Sequence, residues 1–253
     1  MQFFFDWFLV FARAGAMLSV FPVFSAGAVP VRLRIALGAL LAFLVSPTLV
    51  GGPNPAQLGL LDAVLLLFKE ISIGLLMGYI CRLLFFSVQL AGHFISMETG
   101  LQMAQLVAPG ESTPTEVPAA MLTLLAVMLL LALDIHQAIL IGFTQSYAVL
   151  PIDGGRLTEE LFRSVTALAA RTFLVAVKIA APLIAVSIVV NLLLMVFARA
   201  TPQMNIFAES FSVRILVGLA LFGLTMNLTA EHIAAYLRQL PEDFILITRL
   251  LGG

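Results

Sequence analysis

The sequence predicts an all-α integral membrane protein built from broken, kinked hydrophobic helices that form hairpins, and three observations predict it. Hydrophobic residues make up 61% of the 253 residues, charged residues only 11%, and the mean hydropathy is +1.09. A soluble domain carries about 45–50% apolar and about 25% charged residues, so water is not the main solvent. Apolar stretches cover residues 3–31, 35–50, 58–68, 71–95, 117–133, 138–152, 173–198 and 213–228. Several approach the roughly 20 residues a helix needs to cross a bilayer. Many are shortened or interrupted, by Pro22, Pro30, Pro47, Pro53, Pro55, the Lys69 and Glu70 pair, Pro118, Pro151, Lys178 with Pro182, and Pro202. Lipid offers no partner to backbone freed at such breaks, so much of this surface is expected to lie against other protein. An ordinary six-span protein with kinks is the simpler alternative.

Taken in order, residues 3–24 followed by Ser25, Ala26, Gly27 and Ala28 superficially resemble a secretory signal. The first twelve residues carry Asp6 but no Lys or Arg, and Arg13 falls inside the apolar run, whereas a signal needs a positive region ahead of it. The reading as a signal is rejected. Positive charge recurs in nearly every connection, at Arg32, Arg34, Arg82, Arg156, Arg163, Arg199, Arg238 and Arg249, so the positive-inside rule assigns no topology.

Gly74 and Gly78 form a Gly-x-x-x-Gly pair, whose missing side chains let another helix backbone come close, inside the chain or between subunits. Lys69, Glu70, Asp134 and Lys178 lie nearest the middle of apolar stretches, where ionisable residues are costly enough to suggest a role such as a proton relay. The alternative makes Lys69 and Glu70 a turn exposed to water, and lets Lys178 pair with a partner subunit or snorkel. Residues 100–118 form the most unusual connection, mixing flexible polar residues with Met103, Leu106 and Val107. A loop of that size between spans is often functional, and the alternative is a solvated connection.

Asp153, Gly154 and Gly155 make a turn, after which Thr158 is placed as an N-cap with Glu159 and Glu160 in the first turn of an amphipathic helix. Its apolar face is Leu161, Val165, Leu168 and Ala169. A second amphipathic helix is expected to open near Thr229, with Ile233, Tyr236, Leu237 and Leu240 on one face before Pro241 stops it. Both read as interfacial or partner-facing helices rather than spans. An echo at an offset of 180 relates Pro22, Arg34, Ile35, Gly38 and Leu41 to Pro202, Arg214, Ile215, Gly218 and Leu221. If it is a repeat, each unit is a proline loop feeding a helix that starts at an Arg.

Several function classes are excluded. A net charge of -1 with scattered Lys and Arg gives no basic stripe for a phosphate backbone, so nucleic acid is not a partner. Cys81 is the single cysteine, which rules out an intramolecular disulfide or a thiolate cluster. His93, His136 and His232 lack metal-ligand spacing, and no His-Glu-x-x-His, Gly-x-Ser-x-Gly or phosphate-binding glycine loop occurs. No cofactor, metal or catalysis is expected.

At residues 197–214 (FARATPQMNIFAESFSVR) the chain carries Arg199, then Pro202, Gln203, Asn205 and Phe207, then Arg214 opening the next helix. This region resembles the signature of the FliR family, which shares ancestry with the SctT subunits of virulence injectisomes. The resemblance extends along the whole chain, through Arg13, Pro22, Pro30 and Arg32, the Gly74 to Gly78 helix, Ala91, Gly92 and Gly100, and the stretch from His136 to Pro151 with Ser146. It implies a single FliR-like domain over residues 1–253, with about 1–160 similar to a FliP subunit and about 161–253 to a FliQ helical hairpin. It further implies one copy assembling with FliP and FliQ into a closed helical gate in the bacterial inner membrane at the flagellar basal body. FlhB and FlhA are the expected neighbours, and unfolded export substrates pass through. The resemblance makes the loop with Met103, Leu106, Val107, Pro109, Gly110, Pro114 and Pro118 a channel plug, and Arg199, Pro202, Gln203, Asn205, Phe207 and Arg214 an inter-helix or inter-subunit motif. The rival readings are an injectisome SctT-type subunit, a stand-alone secondary transporter with its own midplane site, and a membrane-embedded hydrolase.

Overall fold

A computed structural model describes residues 2–25, 29–49, 58–102, 117–152, 154–155, 158–200 and 206–252. Most of these residues are helical, with no strand among them, as the composition predicts. The elements are α1 (Gln2–Val20), α2 (Pro22–Ser25), α3 (Val31–Val45), a 3-10 turn (Ser46–Thr48), α4 (Leu60–Glu98), α5 (Val117–Ala132), α6 (Ile135–Val149), α7 (Glu159–Ala200), α8 (Ile206–Leu237) and α9 (Leu240–Gly252). Four stretches are helical, long and apolar enough to cross a membrane: Gln2–Val20, Leu60–Glu98, Glu159–Phe197 and Arg214–Gly252. The bent pair α5 and α6 makes a fifth if counted as one span. The chain clusters into two compact units, each discontinuous in sequence.

The first unit comprises residues 1–84, 134–170 and 238–253. In α1 the residues Leu9, Val10, Arg13, Ala14, Met17 and Leu18 are buried at helical spacing, so one stripe faces the unit's interior. α3 crosses α1 where side chains are smallest: a Cβ on Gly38 would lie 3.6 Å from the Gly15 backbone. The Trp7 indole donates to the Ala39 carbonyl at 3.3 Å, fixing that crossing. The Thr158 hydroxyl accepts the Leu161 N–H at 3.2 Å, the expected N-cap of α7. Along its face Leu161 is buried and Val165, Leu168 and Ala169 are half-buried. α9 lies on α6 through Phe244, whose ring edge would meet a Cβ on Gly142 at 3.1 Å.

The second unit comprises residues 85–133 and 171–237. α4 ends here at Thr99 and Gly100, the latter at φ +75, a left-handed residue that closes a helix at no steric cost only when it is glycine. α5 starts against α4: a Cβ on Gly92 would collide with the Ala119 backbone. α7 and α8 face each other across a cleft lined by Leu183, Asn191, Arg214 and Leu221, with Asn191 bonded to Arg214.

Several expectations are corrected. Lys69 and Glu70 do not interrupt a helix or form a water-exposed turn: α4 runs unbroken from Leu60 to Glu98 and so joins the two apolar stretches on either side of them, and Glu70 is 1% exposed. α7 likewise runs unbroken from the amphipathic segment through Lys178 and Pro182, so that segment is the start of a span-length helix. No helix opens at Thr229, because α8 continues to Leu237; the buried face of Thr229, Ile233 and Leu237 is its last part. α8 does end before Pro241, at Leu237, and Pro241 itself sits in the first turn of α9, where a missing N–H costs nothing. Arg34 lies in the first turn of α3, yet Arg214 stands two turns inside α8, which starts at Ile206, so the echo does not put an Arg at both helix starts. Asp153 lies outside the described residues, while Gly154 donates to the Pro151 carbonyl at 2.8 Å and Gly155 has φ +90.

Candidate functional site

A guanidinium is buried in the first unit. Arg13, fully buried on α1, donates from Nε to Glu70 Oε2 at 2.5 Å and from Nη2 to Glu70 Oε1 at 2.9 Å. This bidentate fork matches the planar carboxylate, the geometry that makes Arg–carboxylate pairs strong. Arg13 Nη1 reaches Ser146 Oγ and the Leu150 carbonyl, both at 3.3 Å. Leu150 caps α6, so the cation also sits at the negative end of that helix and takes up a carbonyl the helix leaves unbonded. The Tyr147 ring lies 3.9 Å from the guanidinium carbon, a cation–π contact in a dry setting. The Tyr147 hydroxyl is buried with no hydrogen-bond partner.

α1 can carry this charge because α4 comes close enough to deliver Glu70. Gly74 and Gly78 make the approach: a Cβ on Gly74 would overlap the Arg13 carbonyl, and one on Gly78 would lie 2.6 Å from the Met17 carbonyl. The glycine pair thus works inside the chain, one and two turns beyond Glu70. Arg13, Glu70 and Ser146 stand far apart in the sequence, and only the fold joins them. The available signal was an arginine with apolar neighbours on every side, which demands a carboxylate.

The second unit holds a polar group at the root of the connection that follows α4. Ser187 on α7 donates to Glu98 Oε2 at 2.5 Å, and one turn on, the Asn191 amide oxygen accepts from Arg214 Nη2 at 2.7 Å. Glu98 stands at the C-terminus of α4, where the helix dipole disfavours a carboxylate, so the Ser187 hydroxyl offsets an adverse placement. The Arg214 Cδ would sit 3.3 Å from a Cβ on Gly100, and Thr99 is 2.7 Å from a Cβ on Gly218. α8 therefore holds the last residues of the α4 terminus against itself.

Of the expected site residues, Met103, Leu106, Val107, Pro109, Gly110 and Pro114 lie outside the described residues, as do Pro202, Gln203 and Asn205. Pro118 is buried in the first turn of α5, Arg199 is exposed in the last turn of α7, and Phe207 falls in the first turn of α8. Asp134 is exposed between α5 and α6 at φ 55, bonded to the Gln137 amide at 3.1 Å. Lys178 is exposed on α7. Cys81 is fully buried. Among the described residues no group of three or more His, Cys, Asp or Glu is placed to hold a metal ion.

Comparison with known proteins agrees with this helical membrane architecture. Residues 4–240 match the family described as bacterial export proteins, family 1. The chain is 31% identical to the flagellar biosynthetic protein FliR of Caulobacter vibrioides, with 87% of each chain covered. It is 30% identical to FliR of Pectobacterium carotovorum, covering 95% of this chain and 92% of that one. FliR of Escherichia coli K12 is 29% identical over 92% of this chain and 90% of its own. By a match that spans nearly its whole length, the chain belongs to family 1 of the bacterial export proteins, the family of the FliR components of the flagellar export apparatus.

Proposed function

We propose that this chain is a structural, pore-forming subunit of the flagellar protein export gate, without enzymatic activity. In this reading one copy assembles with FliP and FliQ in the inner membrane at the basal body, and unfolded export substrates pass through the channel. FlhB and FlhA adjoin the gate. The supporting observation, beside family membership, is how unevenly the span-length helices are covered by their own chain. Within Leu60–Glu98, 56% of the most apolar window is buried, against 22% within Glu159–Phe197 and 17% within Arg214–Gly252. A helix pair in which most residues are not buried by their own chain is suited to packing in a larger ring. The transporter alternative needs ionisable groups converging at midplane, and Glu70 is instead consumed by Arg13.

The channel plug belongs to the same proposal. Met103, Leu106, Val107, Pro109, Gly110 and Pro114, continuing to Pro118, join α4 to α5, and apolar side chains at a constriction exclude water and ions by dewetting. Two experiments test the reading. A tagged chain expressed with FliP and FliQ should purify as a hetero-oligomer of fixed composition; recovery as a stable, partner-free protein would overturn the assignment. Deleting residues 105–116 should then leave assembly intact while cells take up ions or a small dye, and the leak should vanish when FliP is absent. An assembled deletion variant as tight as wild type would move the seal to other subunits.

A further inference from the structure

Lys178 lies on the uncovered side of α7. The buried face of this helix is Val175, Ala176, Ile179, Ala180, Leu183 and Ser187. Leu174, Lys178, Ala181, Ala185, Val189 and Leu192 recur at intervals of three or four, and all are exposed, forming one stripe turned away from the chain. Among the described residues the Lys178 ammonium has no hydrogen bond or ion pair. Four residues on, Pro182 stands inside the helix and offers no N–H to the Lys178 carbonyl. One turn of an apolar helix therefore presents both an unpaired cation and a carbonyl deprived of its usual helical donor. Snorkelling along the helix can bring the ammonium to a lipid headgroup, but lipid supplies no donor in place of the one Pro182 lacks. The two residues after this turn on the same stripe are alanines, at the four-residue spacing that lets a second helix backbone come close.

We propose that the stripe centred on Lys178 is the docking face for a membrane helix of another protein, whose Asp or Glu carboxylate pairs with the Lys178 ammonium and whose backbone packs on Ala181 and Ala185. The inference rests on the reading of the chain as one subunit of a hetero-oligomeric gate, and it specifies the chemistry of the partner. The positive charge and the acceptor carbonyl together select a helix carrying a carboxylate and a neighbouring hydroxyl or amide donor. Close approach over the alanines excludes water from the pair, the condition under which removing one partner is most costly.

The test uses the full chain expressed with its assembly partners. Lys178→Arg should assemble like wild type, whereas Lys178→Met and Lys178→Glu should lower complex yield by about a hundredfold. Replacing the matching partner carboxylate by Lys should restore assembly of Lys178→Glu. An independent variant keeps the lysine: Ala181→Cys should be shielded from a membrane-impermeant maleimide in the assembled complex and should cross-link to one partner helix. Cys81, fully buried, adds no background to that measurement. Normal assembly of Lys178→Met would show the lysine to be snorkelling into lipid and overturn the proposal. Labelling of Ala181→Cys in the complex would make the face a water-lined wall, and cross-linking only to a second copy of this chain would replace the partner; either result overturns it. If the wild-type chain itself recruits no partner, the gate reading fails, and that outcome is read from wild type alone.

Discussion

Replacing Glu70 by Gln changes one atom's identity and removes one charge, and the buried network makes the consequence large. Arg13 and Glu70 are 0% and 1% exposed, so the guanidinium left behind has no route to water. Its remaining partners are the Ser146 hydroxyl, the Leu150 carbonyl and the Tyr147 ring, all neutral. Breaking one half of a buried pair costs about 3–5 kcal/mol. That corresponds to about two to four powers of ten in the folding equilibrium of the first unit. Exchanging both members for apolar residues, Arg13→Met with Glu70→Leu, removes the stranded charge and should recover most of the loss, since buried pairs are often replaceable by well-packed hydrophobes. The assay is the fraction of detergent-extracted gate complex surviving a graded heat step, read by size exclusion, with swimming motility alongside. The expected order is wild type near the double variant and Glu70→Gln far below both. A single variant as heat-resistant as wild type, or a double variant no better than the single, would refute the argument that the pair is desolvated and mutually dependent.

Three further outcomes follow from the same contacts. Gly78→Leu should cost about 1–3 kcal/mol or more through overpacking against the Met17 carbonyl, and wild-type complex yield in that variant would place Gly78 on an open face. Tyr147→Phe should be within about 1 kcal/mol of wild type or more stable, because it deletes a buried hydroxyl without a partner while keeping the ring over Arg13; a large loss of heat resistance would mean the hydroxyl is bonded. Arg214→Met should loosen the α4 terminus, because the bond to Asn191 on α7 fixes the arginine whose stem covers Gly100, measured as faster protease cleavage between α4 and α5 in otherwise intact complex; unchanged cleavage would show that the Thr99–Gly218 contact suffices.

What could be read from the sequence was local chemistry. The membrane class follows from composition, and the Thr158 cap with its acidic first turn follows from spacing, since an N-cap needs residues only three apart. Continuity of α4 was not legible, because the charge that appears to break it is neutralised by a residue 57 positions earlier. The continuity of α7 is hidden differently: its first turns are amphipathic and the rest is apolar, which reads as an interfacial helix before a separate span interrupted at Lys178 and Pro182, whereas one helix runs through all of it. Gly74 and Gly78 announced a close contact but not its partner, which depends on tertiary arrangement alone. At Thr229 the change from all-round apolar to amphipathic mimics a helix start, although only the covering of α8 changes there.

The contacts that pin the two roots of the α4–α5 connection have a consequence for its length. Ala119 is seated on Gly92 and Thr99 on Gly218, so the endpoints are set by helix packing and owe nothing to the residues strung between them. For a tether with endpoints held in this way, doubling the contour adds only about 0.6 kcal/mol of closure entropy. The fourteen residues 103–116 are therefore a segment that selection, or an engineer inserting an epitope, can lengthen or recompose at little thermodynamic cost. An insertion there is expected to leave the register of the helices at either end unchanged.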